Sequence, residues 1–350
     1  MSLTNKQLAE LLAIQAETAK GHLQRAFRRA SRKAFTWPEE ASVLAEKGIS
    51  LQELEGVGPF LARQLHEWLD DPPDAPEPDE TRRDFLTNIE AQEELDRNPE
   101  YRDALGDLQM HTTWSDGYAS LSETVEAAKE AGHQYISITD HSKGLKIAGG
   151  IDEAELSKQG RAIKRLNSQL EKEGARLTVL RSIEMNITPA GEGDMETEAL
   201  EELDIVLASF HSSLRKKEDQ TERYIAAIRN PQVQVLGHPR GRIYNFRLGL
   251  TADWEKVFAV AGDSGKALEI DCFPDRQDLN VELLKLAREA GVMISIGTDA
   301  HHPSQFGFLD LGLAAASKAG IDRSKILNFM PVEKLLEWVS EVRRDAGSPR

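Results

Sequence analysis

One cysteine, Cys272, is present among the 350 residues, and long apolar runs are absent. A single thiol cannot form a disulfide within the chain, which excludes a disulfide-stabilised secreted scaffold and fits a reducing cytoplasm. A cysteine-rich zinc site is excluded as well, so a metal must be bound by His, Asp and Glu. No segment reaches the roughly 20 apolar residues of a transmembrane helix, and the first residues lack the pattern of a secretory signal. We therefore expect a cytoplasmic protein with no membrane contact.

Basic residues are outnumbered, with 43 Lys and Arg against 59 Asp and Glu, for a net charge of −16. This balance argues against a protein coated for nonspecific nucleic-acid binding. The exception is a basic stretch over residues 20–33, which includes Arg25, Arg28, Arg29 and Arg32. A solvated helix face is the common explanation of such a stretch, and a local DNA contact is the alternative.

Residues 1–70 have helical patterns. Thr4 and Gln7 resemble an N-cap and its partner, and Pro59 follows the turn Gly56-Val57-Gly58 at a position suited to the start of a helix. Residues 71–105 begin with an acidic, Pro-rich linker and continue into a polar bridging helix. We place the domain boundaries there, with a larger domain over 106–350.

From residue 106 onward, short β-branched runs alternate with helical segments, which predicts an α/β fold with a parallel sheet. Seven such units favour a closed barrel, and an open doubly wound sheet is the alternative. The predicted strands are residues 107–112, 135–141, 177–185, 205–212, 233–239, 267–273 and 293–301.

Potential metal ligands stand near the ends of six of these strands. In a parallel βα-barrel the carboxyl ends of all strands open on one face, where active sites are built. A lone histidine there is usually structural, but five histidines with two carboxylates are hard to explain by packing. Imidazole and carboxylate together suit zinc, manganese or iron. The residues are His111, His141, Glu184, His211, His238, Asp299 and His301.

The ordered segments LQMHTTWSDG, SITDHSKGL, RSIEMNI, LASFHSSL, LGHPRGR, LEIDCFPDRQDL and IGTDAHHP resemble the PHP (polymerase and histidinol phosphatase) family. They are most similar to the PHP domain attached to bacterial family X DNA polymerases. The resemblance implies a distorted (β/α)7 barrel with a cluster of two or three divalent ions, zinc, manganese or iron.

The resemblance also implies a ligand assignment. One ion would be held by His111, Glu184 and Asp299. A second ion would share Glu184 and add His211 and His238. The third would be held by Asp116, His141 and His301. The family usually begins its first motif with His-x-His, whereas this sequence has Gln109-Met110-His111, and Gln109 would be a weaker ligand than imidazole.

Further candidates lie near the ligands. Glu184, Asp140 and Arg242 are the predicted catalytic residues, with Asp140 either orienting a ligand or only capping a turn. Cationic side chains after the strands would hold a phosphate, although any of them could be ordinary surface charge. They are Lys143, Arg240, Arg242, Arg247 and Arg276.

The N-terminal segment GVGPFLARQL is similar to a helix-hairpin-helix element, in which the amides near Gly56 and Gly58 would meet a DNA phosphate. A plain helical packing corner is the alternative. The whole of 1–70 is similar to the first domain of family X polymerases, yet residues 71–105 are too few for a polymerase palm.

These features predict a metal-dependent phosphoesterase acting on DNA 3′ ends, as an exonuclease or a 3′-phosphatase. Two alternatives stay open. One is a small-molecule phosphatase resembling histidinol phosphatase, which would not need an N-terminal domain. The other is a non-catalytic DNA-binding module whose metal site is structural, favoured only by Gln109.

Overall fold

The N-terminal helices begin at the signals present in the sequence. The computed structural model describes residues 2–346, and α1 starts after a capping box in which Thr4 accepts from the Gln7 amide and Gln7 accepts from the Thr4 amide. Pro59 opens α4 as predicted. The first helices are α1 (Asn5–Thr18), α2 (Gly21–Lys33), α3 (Ala41–Glu46) and α4 (Pro59–Asp70).

The larger part of the chain alternates strands and helices. Its elements are α5 (Asn88–Arg97), β1 (Gly106–Met110), α6 (Leu121–Glu130), β2 (Tyr135–Ile138), α7 (Glu153–Glu173), β3 (Thr178–Arg181), β4 (Glu184–Asn186), α8 (Thr197–Glu201), β5 (Leu207–Ser209), α9 (Thr221–Arg229), β6 (Val235–Leu236), α10 (Trp254–Asp263), β7 (Ala267–Asp271), α11 (Val281–Glu289), β8 (Met293–Gly297), α12 (Leu309–Ala319) and α13 (Val332–Ala346).

The paired strands are all parallel and form two sheets, in the orders β1-β2-β3 and β4-β5-β6-β7-β8. The prediction of an α/β fold with a parallel sheet is confirmed. One predicted strand, residues 177–185, is interrupted at Ser182 and Ile183 and becomes β3 and β4. The other predicted strands are shorter than expected, and most ligand candidates stand just beyond them.

Backbone contacts connect the two sheets on both sides. The amide of Asp299 donates to the Gln109 carbonyl at 3.1 Å, and that of His111 donates to Ala300 at 2.8 Å. On the other side, His141 bridges in parallel to Glu184. The segments that follow β1, β2 and β8 therefore meet around Glu184. We call the surface formed by the loops after the strands the strand-end face.

The N-terminal helices pack against the larger domain through a shared core. Phe85 from the linker and Tyr244 from the loop after β6 are buried with α1 and α2 side chains. Arg82 is buried and pairs with Glu10 of α1, with 2.8 Å between Nη2 and Oε1. The boundary at residue 70 therefore does not isolate a separate core.

The bridging helix expected within 71–105 is α5, which follows a capping box at Thr87 and Glu90. Its Glu94 accepts a hydrogen bond from Ser317 of α12 at 2.8 Å. No helix among residues 2–346 is long and apolar enough to cross a membrane.

Candidate metal centre

Glu184 lies at the middle of a cluster of histidines, with imidazole nitrogens close to both of its oxygens. Oε1 is 2.7 Å from His238 Nε2 and 3.2 Å from His211 Nε2, and Oε2 is 3.0 Å from His141 Nδ1. Burial by itself would raise the pKa of Glu184, but His141 and His211 hold it well below its usual value. A carboxylate with ligand atoms on both oxygens has the geometry of a bridge between two ions.

His111 connects Glu184 to Asp299. Its Nε2 atom lies 3.5 Å from Glu184 Oε2 and 3.0 Å from Asp299 Oδ1. These three side chains offer ligand atoms close enough together for one ion. The structure thus brings together the set expected for the first ion.

A further group is centred on Asp116, in the loop after β1. Its Oδ1 atom is 3.5 Å from His141 Nε2 and 3.4 Å from His301 Nε2. His111, Asp116, His141 and His301 also lie within the reach of one ion. Burial alone would lower the pKa of His301, but the hydrogen bond with Asp116 and the charge of Asp299 raise it to about 9.

The cluster leaves buried polar atoms without hydrogen bonds, which is the expected sign of a metal site. These orphaned atoms are Glu184 Oε2, both ring nitrogens of His111, His141 Nδ1, His211 Nε2 and His238 Nδ1. The mixture of imidazole and carboxylate donors fits zinc, manganese or iron. The residues present therefore fit the divalent ions predicted from the sequence.

Polar contacts with groups outside the cluster fix the orientation of two of the histidine rings. His301 Nδ1 lies 2.7 Å from the Asp299 carbonyl, and His211 Nδ1 lies 3.3 Å from Asn186 Oδ1. A proton held on each Nδ1 leaves the Nε2 lone pair directed at the cluster, as a metal ligand requires.

Two ligand candidates have strained backbones. His238 has a φ of 23° and Asp299 a φ of 53°, both in the positive range that side chains rarely adopt. Such strain persists where the surroundings over-determine it, and it concentrates at functional sites.

Asp140, predicted as catalytic, has no oxygen to spare for a ligand. Its carboxylate accepts from the amides of Thr112 and Ser115, from both of their hydroxyls, and from Gln159 Nε2 at 2.7 Å. These bonds hold the 112–116 turn that presents Asp116. The turn-capping alternative describes Asp140 better, and its effect on the centre is to position Asp116.

Gln109 faces another carboxylate, which sequence reasoning missed. With its amide nitrogen turned toward Glu269, Gln109 donates to Oε1 at 2.6 Å and to Oε2 at 3.0 Å. The His238 amide also donates to Glu269, at 2.7 Å. Burial, and then Asp271, raise the pKa of Glu269 well above its usual value. The available signal was a charged residue inside the apolar strand 267–271.

Two predicted phosphate-binding cations are engaged in structural contacts. Arg242 is buried, stacks 3.7 Å from the Phe85 ring, and donates to the carbonyls of Arg276 and Asp84 at 2.9 Å each. Arg240 donates to the Leu248 carbonyl at 3.0 Å. The expectation that Arg242 clamps a phosphate or acts in catalysis is therefore corrected: it attaches the linker to the loop after β6.

The other three predicted phosphate-binding residues differ in how far other contacts occupy their charged groups. Lys143 is paired with Glu153 at 2.6 Å. Arg276 is only partly buried, and its Nε lies 3.4 Å from Asp299 Oδ2 and 3.5 Å from Asp271 Oδ2. Arg247 donates through Nε to the Gly241 carbonyl. Arg276 is thus the cation placed directly beside a ligand of the cluster.

The N-terminal candidates occupy a hairpin and a helix face. Gly56 has a φ of 86°, which the turn before α4 requires, and Gly58 precedes α4 with no side chain capping its amides. The arginines of α2 are exposed, and no carboxylate lies within ion-pair distance of them in residues 2–346. They are Arg25, Arg28, Arg29 and Arg32.

Comparison with known proteins identifies the family. Residues 107–299 match the PHP domain, which is more than half of the chain. The chain belongs to the PHP family. The predictions of PHP membership and of a hydrolytic enzyme are therefore confirmed.

Two of the similar proteins differ in how much of their own length this chain matches. The DNA polymerase/3′-5′ exonuclease PolX of Bacillus subtilis is 38% identical over 224 residues, which is 64% of this chain and 39% of that protein. A probable phosphatase of Thermoanaerobacter sp. is 34% identical over 254 residues, 69% of this chain and 97% of that protein. The chain thus spans well under half of the length of PolX and nearly all of the phosphatase.

Among solved structures, a histidinol phosphate phosphatase from Lactococcus lactis, complexed with zinc, L-histidinol and phosphate, is 16% identical. The aligned region covers 70% of this chain and 94% of the phosphatase chain, with a TM-score of 0.43.

Proposed function

We propose that this PHP-family hydrolase cleaves phosphoester bonds with two or three zinc, manganese or iron ions bound around Glu184. The two parallel sheets would act as one distorted seven-unit barrel, in which β3 and β4 share a strand position. The observation that carries the proposal is the bridging geometry of Glu184, whose oxygens face His238 and His211 on one side and His141 on the other.

These contacts support the ligand sets expected from the sequence, although His141 also lies within reach of an ion held by Glu184 and His211. His111, Glu184 and Asp299 would hold one ion, Glu184, His211 and His238 a second, and Asp116, His141 and His301 a third. Ions held about 3.5–4 Å apart would supply positive charge for the phosphate oxygens and an activated water for in-line displacement.

The chain's own residues would then orient the substrate and stabilise its charge. Arg276 lies beside Asp299 with its side chain 28% exposed, so it would be placed to donate to a phosphate oxygen that reaches the cluster. Asp140 would keep Asp116 in place through the 112–116 turn. Hydrolysis adds water across the P–O bond, and the leaving oxygen takes a proton.

For the substrate we propose the 3′ end of DNA. Support comes from the position of the basic helix α2 relative to the cluster. Ser31 of α2 contacts the Tyr244 hydroxyl at 2.9 Å, and the Tyr244 amide donates to the Asp275 carbonyl at 2.7 Å, one residue before Arg276. Burial raises the pKa of Asp275 and the charges of Arg276 and Arg32 oppose this, so Arg32 lies near the same carboxyl as Arg276. A strand bound along the arginines of α2 would then pass close to Arg276. The hairpin at Gly56 and Gly58 would add backbone phosphate contacts.

A test compares two full-length variants with the same change of net charge. In the first, Arg25, Arg28, Arg29 and Arg32 are replaced by Gln. In the second, the control, four exposed cations of α7 are replaced by Gln: Arg161, Lys164, Arg165 and Lys172. Activity on DNA 3′ ends is measured at two salt concentrations, with a chromogenic phosphoester as reference.

The α2 variant should lose activity on DNA relative to the chromogenic substrate, and its salt dependence should become shallower, by about 0.7–0.9 in the log–log slope for each phosphate contact removed. The α7 variant should retain both the activity on DNA and its dependence on salt. An equal loss in the two variants would show that net charge, and not a contact at α2, determines DNA activity.

A small-molecule phosphatase is the second candidate. The observation in its favour is that the probable phosphatase of Thermoanaerobacter sp. aligns over 97% of its length with 69% of this chain. Under this alternative neither quadruple variant would alter the preference between substrates.

A further inference from the structure

Two exposed aromatic rings lie on loops of the strand-end face. Most large apolar side chains are buried, and those more than a third exposed among residues 2–346 are few: Leu23, Val43, Phe60, Tyr118, Ile147, Phe246 and Leu248. Four of the seven lie on the strand-end face, in the loops after β1, β2 and β6. Two of these four are aromatic, namely Tyr118, which is 81% exposed, and Phe246, which is 56% exposed. A single exposed apolar side chain is ordinary, so what distinguishes these two rings is their position on the loops that also present the cluster.

The Tyr118 ring is attached to the ligand loops by its backbone. Its amide donates to the His301 carbonyl at 2.7 Å, and it follows Asp116 by two residues. Gly117, between them, lies so close to the His111 backbone that an added Cβ would be 2.6 Å away. The turn therefore holds Tyr118 beside the Asp116 and His301 ligands while its ring projects into solvent.

The Phe246 ring lies next to a cationic side chain. The guanidinium of Arg215, four residues after the ligand His211, lies 4.8 Å from the ring centre. The Phe246 amide donates to the Ile243 carbonyl at 3.2 Å, and Arg240 braces the same loop at Leu248. Arg247 follows directly. This side of the strand-end face therefore offers a braced ring beside guanidinium groups.

We propose that Tyr118 and the Arg215–Phe246 pair bind the bases of an unpaired polynucleotide strand whose phosphoester lies at the metal centre. Every base has a face that stacks on an aromatic ring, and arginine adds attraction for both ring and phosphate. Positive charge at Arg215, Arg247 and Arg276 complements the strand, although the chain as a whole is acidic. The proposal rests on the proposed phosphoesterase function and deepens it, because a small phosphomonoester would leave both rings unused.

The test measures binding of a short single-stranded DNA containing 2-aminopurine near its 3′ end and a non-hydrolysable phosphorothioate linkage. Full-length protein with manganese is compared with Tyr118→Ala, Tyr118→Phe and Phe246→Ala. Val43→Ala, which shortens an exposed side chain on α3 away from the strand-end face, is the matched control. A DNA of the same length without bases tests the backbone contribution.

Each alanine variant should weaken binding of the intact strand about tenfold, while Tyr118→Phe and Val43→Ala should bind as the wild type does. The strand without bases should bind weakly and equally to all variants. Wild-type affinity in both alanine variants, or equal affinity for the two DNAs, would overturn the proposal. A wild type that binds the strand but cleaves no phosphoester would instead refute the proposed function.

Discussion

Gln109 occupies a position where the family usually has a histidine, and its contacts explain how the chain tolerates the exchange. The side-chain amide of Gln109 faces the buried Glu269, whose carboxylate also accepts a hydrogen bond from the backbone amide of His238. Gln109 therefore supports the loop that presents a ligand. With Gln109 engaged there, His111, Glu184 and Asp299 would remain to hold the first ion.

Replacing Gln109 by His tests this interpretation. One imidazole nitrogen can keep the hydrogen bond to Glu269 while the other faces the cluster, so the first ion should be retained longer during dialysis. Replacing Gln109 by Met is the matched control. It removes the donor to a buried carboxyl and should lower the free energy of unfolding by about 1–3 kcal/mol. Unchanged ion retention in Gln109→His would show that this position does not reach the ion.

At the residue scale, sequence reasoning named the side chains that the structure brings together around Glu184, but it missed the residues that support them. The sequence indicates His111, His141 and His211 because each follows an apolar strand within a recognisable motif. The sequence does not indicate the structural roles of Glu269 and Arg242, because these roles depend on partners far away in the chain. The partner is Gln109 for Glu269 and the Asp84 carbonyl for Arg242. No local pattern specifies such long-range pairs.

The N-terminal helices are held to the larger domain by a buried ion pair. Arg82 and Glu10 are 9% and 5% exposed, and Arg82 also contacts Asn245 in the loop after β6 at 3.0 Å. Removing the linker residues would take away Phe85, one of the two rings that pack against Tyr244. Point substitutions therefore probe the helical segment better than truncation does.

Replacing Arg82 by Gln should lower the free energy of unfolding by about 3–5 kcal/mol, because Glu10 stays buried without its partner. The control is Lys47→Gln, which breaks an exposed pair with Glu39 and should cost less than about 1 kcal/mol. Chemical denaturation of the full-length proteins measures both. Similar costs for the two changes would contradict the view that Arg82 attaches the helices.

Element boundaries show where local patterns stop being informative. The seven apolar runs predicted the strands, but the run over 177–185 gave no sign of its break at Ser182 and Ile183. That break sets Glu184 at the start of β4, where its carboxylate faces four histidines. Chain geometry around the metal centre overrides strand propensity here.

For the whole molecule, an acidic chain surrounds a cluster of histidines and carboxylates and carries four exposed arginines together on α2. The arrangement predicts that catalysis and DNA affinity depend on separate residues. In the proposed function the ions would serve catalysis, and the α2 arginines and the rings of the strand-end face would serve DNA affinity. The central claim is that Glu184 bridges two of the ions.

Elemental analysis of full-length protein, purified without chelator, tests that claim most directly. The wild type should contain two or three ions per chain, and Glu184→Gln should lose at least two of them together with phosphoesterase activity. Glu94→Gln is the matched control, since Glu94 is buried and hydrogen-bonded to Ser317 away from the cluster, and it should keep its ions. A wild type that takes up no metal, or a Glu184→Gln variant with the full complement, would contradict the account.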